Sequence, residues 1–229
     1  MRITPEIRML ERAAEALGSL KDELVFVGGC MVGLLLSDDA APAPRPTDDV
    51  DTLVEVLNRV GYYAVGDRLR ALGFAEDMSV VCRWYGHGLK VDIMPTDPET
   101  LGFSNPWYPS AMAHSVHKTL PSGMSIKTVD APHFLATKLE AFANRGKGDM
   151  HGSHDLEDVV AVISGRSEIV GETATSPTEV RQFVVDQLSA LLQRHGVREA
   201  LEGHLANSGT SPDRTLDRIR SICSNQHKY

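Results

Sequence analysis

The chain has 229 residues, 42% hydrophobic and 24% charged, an ordinary globular composition with material for a sizeable core in one fair-sized domain or a domain plus a helical extension. Its 31 acidic residues against 23 Lys and Arg, net −8, exclude a protein that coats nucleic acid by bulk electrostatics and leave only a local basic groove open. Three cysteines without framework spacing argue against a disulfide-built secreted scaffold, and the longest apolar run, Cys30 to Leu36, falls far short of the ~20 residues that span a bilayer. Met1 to Lys21 carries charges every few positions and lacks an apolar signal core, so a cytoplasmic protein without membrane insertion is expected.

In chain order, Thr4-Pro5-Glu6 reads as a helix cap, and the stripe Ile7, Leu10, Ala14 and Leu17 predicts an amphipathic helix over residues 4–20. Leu24 to Val27 reads as a buried strand ending at Gly28-Gly29, with a buried helix predicted from Cys30 to Leu36. The Pro-rich stretch Ala40 to Pro46 is expected to be an exposed, extended loop. Thr47 to Val54 alternates as a half-buried strand, with Asp49 and Asp51 on one face. A helix is predicted from about Val56 to Leu72, stopped by Gly73.

Ser79 to Tyr85 and Leu89 to Met94 flank Gly86-His87-Gly88 and read as a hairpin in which Val91 and Ile93 face one side and Asp92 the other. Residues 95–110, rich in Pro and aromatics, read as an ordered loop. Helices are predicted from Ala131 to about Arg145, from His154 to Ser164 and, after a break near Gly165 to Pro177, through Val180 to Leu192, before a polar tail. The expected architecture is α/β (α+β): a mixed-sheet core with its N-terminal helix in residues 1–130 and a helical C-terminal region in residues 131–229.

Two carboxylates two positions apart on one strand, Asp49 and Asp51, with Asp92 on a neighbouring strand, form a set of hard oxygen donors suited to divalent cations. Glycines at a strand-to-helix turn let backbone amides approach phosphate, and a helix N-terminus there adds a favourable dipole. Together Gly28, Gly29, Asp49, Asp51 and Asp92 describe a site for a metal-bound nucleoside triphosphate.

Phe26-Val27-Gly28-Gly29, Thr47-Asp48-Asp49-Val50-Asp51 and Val91-Asp92-Ile93 resemble the nucleotidyltransferase superfamily, with its Gly-Gly/Ser turn, Asp-x-Asp strand and third acidic strand. The interval from Gly29 to Asp49 is longer than in that pattern because of the Pro-rich stretch. Phe134 to Phe142 with Lys138, then Arg145-x-Lys147-x-Asp149 and Ser153-His154-Asp155-Leu156-Glu157-Asp158, are similar to the AbiEii-type nucleotidyltransferase toxins. The resemblance spans roughly residues 24–164.

It implies a nucleotidyltransferase-like fold and transfer of a nucleoside monophosphate from a nucleoside triphosphate, with Mg²⁺ or Mn²⁺ on Asp49, Asp51 and Asp92. Asp92 would also orient or deprotonate the attacking hydroxyl. Gly28, Gly29, Lys138, Arg145 and Asp155 would bind the nucleotide. The implied acceptor is RNA, such as a tRNA 3′ end, or a protein, with an antitoxin as partner; the same core also modifies small antibiotics. Lys118, Lys127, Lys138, Arg145 and Lys147 form a basic set that favours RNA.

Competing readings use the same residues. Lys138 on a helix is by default a snorkelling lysine, and Asp155 and Asp158 are acids favoured by the start of a helix. His151, His154 and Asp155, with His114, His117 and His133 upstream, weakly resemble the metal site of HD-type phosphohydrolases, a reading that leaves the glycines and Asp49, Asp51 and Asp92 unexplained. A third reading is a catalytically inactive nucleotide-binding protein.

Overall fold

The computed structural model describes residues 3–38, 41, 43–56, 58–145, 148–206 and 208–224. The chain divides into two compact units, one made of Met1–Leu34 and Pro46–Asp130, the other of Leu35–Arg45 and Ala131–Tyr229. The fold is mixed α/β, with eleven α-helices and seven strands among the described residues. None of these helices is long and apolar enough to cross a membrane.

The first unit opens with helix α1 (Pro5–Leu17), where Pro5 is pre-organised for the first turn and Thr4 Oγ1 accepts a hydrogen bond from the Ile7 N–H at 3.3 Å. Its apolar stripe Ile7, Leu10, Ala14 and Leu17 is buried, as the sequence periodicity predicts. Strand β1 (Leu24–Val27) is buried throughout. The segment after it is a single 3₁₀ turn, Gly29–Met31, followed by the one-turn helix α2 (Val32–Leu35). The helix expected there to add a dipole to the glycine turn is therefore too short to carry an appreciable one.

The remaining strands are β2 (Val50–Val54), β3 (Ala75–Glu76), β4 (Arg83–Gly86), β5 (Leu89–Pro95), β6 (Val116–Thr119) and β7 (Ser125–Thr128). They form one sheet of order β3-β4-β5-β2-β1-β7-β6, parallel between β2 and β5 and between β1 and β7, antiparallel elsewhere. The turn between β4 and β5 has positive φ at both His87 (54°) and Gly88 (68°), as a two-residue turn matched to strand twist requires.

Helix α3 (Arg59–Ala71) starts later than the sequence suggests because Asn58, accepting from the Gly61 N–H at 3.0 Å, supplies the cap. It packs so closely on Trp84 that a Cβ at Gly66 would lie 3.2 Å from the indole, and the Tyr62 hydroxyl donates to the Ile93 carbonyl at 2.8 Å. One face of β4 and β5 is thereby covered, leaving the alternate residues Arg83, Tyr85, Lys90 and Asp92 to the other face.

Several expectations are corrected. The strand predicted from Ser79 begins only at Arg83, because Asp77 Oδ1 accepts from the Ser79 N–H (2.7 Å) and the Val80 N–H (3.2 Å) and folds this stretch into a turn. The loop at residues 95–110 contains helix α4 (Pro98–Leu101), capped by Asp97, and leads into α5 (Tyr108–Ala113). Strands β6 and β7 have no counterpart in the sequence reading; all four residues of β6 lack deep burial, so no alternation marks it. Of the Pro-rich stretch, residues 41 and 43–46 lie outside helix and strand, as expected, while Ala40 and Pro42 fall outside the described residues.

The second unit contains α6 (Ala131–Asn144), α7 (His154–Gly165), α8 (Ile169–Thr175), α9 (Thr178–Leu192), α10 (Val197–Leu205) and α11 (Pro212–Ser224). The predicted break near Gly165 to Pro177 holds α8. The expected polar tail holds two helices, and α11 buries Leu216, Ile219 and Ile222 at helical spacing. Helix α6 packs on α7, α8 and α9, and α11 on α7, α8, α9 and α10.

Candidate functional site

In the first unit the sheet register assembles an acidic group. Parallel pairing of β2 with β5 sets Asp51 beside Asp92, and Asp49 lies in the residue before β2. One carboxylate oxygen from each of Asp49, Asp51 and Asp92 lies within 4.8 Å of the others. Three hard oxygen donors at that separation fit a divalent cation, which takes carboxylate oxygens at ~2.0–2.6 Å. Asp92 is only 7% exposed, whereas the Asp49 side chain keeps 28% of its surface in solvent, so the group opens on its Asp49 side. Among the described residues no other set of three or more His, Cys, Asp and Glu side chains converges in this way.

The shape of the turn follows from the same group. Gly28 has φ +76°, and a Cβ there would lie 1.8 Å from Asp51 Oδ2. Only glycine allows the chain to leave β1 in this conformation with the Asp51 carboxylate against its backbone. Gly29 is buried in the 3₁₀ turn that follows.

Fixed hydrogen bonds hold the carboxylates. The Thr47 hydroxyl donates to Asp49 Oδ1 at 2.8 Å; the Thr52 hydroxyl instead ties the β5 backbone, donating to the main-chain carbonyl of Asp92 at 3.1 Å. The Arg83 guanidinium, which the sequence reading missed, donates to both Asp92 oxygens at 2.8 and 2.7 Å and lies 3.7 Å from Asp49. Hydrogen bonding to Asp92 raises the pKa of Arg83 further above its already high value, so it stays a cation at any physiological pH. A signal for it was in the sequence: a two-residue turn pairs Gly86 with Leu89, and the same ladder then sets Arg83 opposite Asp92.

Beside this group, Lys90 Nζ donates to Asp48 Oδ2 at 2.7 Å, a bond that lowers the Asp48 pKa and raises that of Lys90. Asp48, Tyr85 and Lys90 line an open hollow of about 380 Å³ with Gly86, Gly88 and Leu89. Cys82, next to Arg83, is buried, and that burial pushes its thiol up to about 11, which makes it a core thiol with little thiolate.

Lys138, Arg145 and Asp155 come together in the second unit. Ser153 caps α7 by accepting from the Leu156 N–H at 3.3 Å, and Asp155 and Asp158, three apart, present their carboxylates on one face of its first turns. Lys138 of α6 reaches both, with Nζ 3.1 Å from Asp155 and 2.7 Å from Asp158. Arg145 donates two hydrogen bonds to Asp155, each 2.9 Å, and Arg45 forks onto Asp158 at 2.9 and 3.3 Å.

Burial raises the Asp155 pKa, but the Arg145 hydrogen bonds and the Lys138 charge outweigh it and leave this carboxyl below its ordinary value. The Lys138 and Asp158 side chains are 8% and 1% exposed, whereas Arg145 is 73% exposed. Arg45 is a second missed residue; 113 positions separate it from Asp158, and no local pattern links them.

The basic set expected to favour RNA draws on both units. Lys118 and Lys127 lie on β6 and β7 of the first unit, Lys138 is buried in ion pairs of the second, and Lys147 lies outside the described residues. Among the described residues no group of three or more metal-ligating side chains includes a histidine; His133 is fully buried, the His154 side chain is 74% exposed beside Glu157, and Asp155 is engaged by Lys138 and Arg145. The sequence matches no protein-family model and no curated protein.

Proposed function

We propose that this protein is a metal-dependent nucleotidyltransferase that moves a nucleoside monophosphate from a nucleoside triphosphate to a hydroxyl acceptor and releases pyrophosphate. The observation that carries the reading is the convergence of Asp49, Asp51 and Asp92 within 4.8 Å, beside a glycine turn against which the Asp51 carboxylate packs. Mg²⁺ or Mn²⁺ held by these carboxylates would supply charge neutralisation at the phosphate and lower the pKa of the attacking hydroxyl.

The chain's own residues do the positioning. Asp49 and Asp51 hold donors at fixed separation, Thr47 fixes the Asp49 carboxylate, and Gly28 lets the Asp51 carboxylate lie against the backbone of the turn. Asp92 orients the attacking hydroxyl, whose oxygen bonds to the α-phosphorus as the bond to pyrophosphate breaks, and its proton passes to a carboxylate of the triad. Phosphoryl-type transfer needs positioning and electrostatics more than covalent help, so this set suffices.

The proposed acceptor is RNA, a tRNA 3′ end in particular, or a protein, in the manner of a toxin held by an antitoxin. The test incubates wild type and Asp51→Asn with each α-labelled nucleoside triphosphate, Mg²⁺ or Mn²⁺, and the RNA, protein and small-molecule fractions of a cell extract. The expected outcome is label in one fraction with wild type and a loss of more than ~100-fold with the variant, at unchanged melting temperature. Equal labelling by both proteins, or no labelling of any fraction, would sink the reading.

A further inference from the structure

We propose that Arg83 is the resident counter-cation of the acidic group: it competes with a divalent cation for Asp92 and gives way when a phosphate-bearing ligand engages its guanidinium. The inference rests on the proposed reading of Asp49, Asp51 and Asp92 as metal ligands. Both Asp92 oxygens are taken by the Arg83 fork at 2.8 and 2.7 Å, the planar two-point geometry in which arginine grips a carboxylate most strongly. The same guanidinium lies 3.7 Å from Asp49, so it also offsets charge at the second ligand.

A cation approaching this group alone meets the Asp49 and Asp51 carboxylates beside a fixed positive charge on Asp92. Arg83 nevertheless keeps 22% of its side-chain surface in solvent, and a guanidinium that forks onto a carboxylate also forks onto a phosphate. A triphosphate that draws it off Asp92 frees the third ligand, so metal and triphosphate raise each other's affinity by the same factor. The arrangement makes the site a poor binder of bare metal and a good binder of metal with triphosphate. Arg83 is a positioning residue in this scheme.

Mn²⁺ binding, followed by the electron paramagnetic resonance of free Mn²⁺, tests the inference without any turnover. It is measured on the full chain with and without a nonhydrolysable ATP analogue. Wild type is expected to bind Mn²⁺ weakly alone and more tightly with the analogue. Arg83→Gln is expected to bind Mn²⁺ alone at least ~10-fold more tightly, the lower end of what one adjacent charge does to an ionic equilibrium, and to lose most of the gain from the analogue.

Equal or weaker Mn²⁺ binding by Arg83→Gln overturns the proposal. Tighter binding with the analogue's gain intact overturns its phosphate half. Absence of saturable Mn²⁺ binding in both proteins, with and without the analogue, sinks the metal reading beneath it. Arg83→Lys keeps the charge and loses the fork, and is expected to rise several-fold; should Arg83→Gln not fold, an unchanged affinity in Arg83→Lys overturns the proposal instead.

Discussion

The two units each carry a cluster of carboxylates and cations, and the balance within each cluster separates their roles. In the first unit three carboxylates face one guanidinium, so negative charge is in excess among Asp49, Asp51, Asp92 and Arg83. In the second, Asp155 and Asp158 face Lys138, Arg145 and Arg45, and positive charge is in excess. Their anchoring carboxylates differ in exposure: Asp49 is half-buried beside the buried Asp92, while Asp155 and Asp158 are both buried, with Arg145 exposed at the edge. The acid-rich group could hold a divalent cation; the paired one fastens α6, α7 and the segment carrying Arg45. Buried pairs of this second kind cost desolvation and are tolerated because each member has its partner.

The strongest way to break the comparison is Asp158→Asn. It leaves Lys138 and Arg45 without their shared charge in a buried place, and a loss of about 3–5 kcal/mol in denaturant unfolding is expected, with Mn²⁺ binding unchanged. A loss below about 1 kcal/mol would remove the structural role assigned to this cluster.

Gly28→Ala comes next. The new Cβ would overlap Asp51 Oδ2 at φ +76°, so strain of about 1–3 kcal/mol is expected, together with loss of Mn²⁺ affinity because the carboxylate must move. A variant with wild-type melting and metal binding would show that the turn and Asp51 do not constrain each other.

The pH dependence sharpens the contrast further. The Asp155 carboxyl, desolvated but held by Arg145 and Lys138, titrates below its ordinary 3.8. Its stabilising contribution is therefore complete above that value and lost as pH falls through the lower, folded one. Unfolding measured from pH 6 down to 2 should show a decline below about pH 4 that is shallower in Asp155→Asn; identical curves would contradict the ion-pair account.

The smallest effect is expected for His154→Ala, whose exposed ring meets Glu157. A change within about 0.5 kcal/mol and unaltered metal binding are expected. Loss of metal binding would instead favour the histidine-based phosphohydrolase site.

Local chemistry was legible wherever it repeats with a period or sits at a turn. The stripe Ile7, Leu10, Ala14 and Leu17, the Thr4-Pro5 cap, the buried run Leu24 to Val27 and the two-residue turn at His87-Gly88 are all decided within a few residues, and the structure forms each of them. The alternation in Leu89 to Met94 puts Asp92 opposite in face to Val91 and Ile93, again a property of the strand alone.

What only the tertiary structure decided is which strand lies beside which, and which charges meet. The pairing of β2 with β5, on which Asp51 and Asp92 depend, joins segments 41 positions apart, and the β6–β7 hairpin joins the sheet through the parallel pairing of β7 with β1. Arg45 and Asp158 meet across 113 positions. Lys138, a solvent-facing residue by helix propensity, is buried because α7 brings two carboxylates to it. Periodicity records the demand of a segment to bury one face; it carries no information on the partner that will cover it, and long-range charge pairing is settled only when the covered faces have come together.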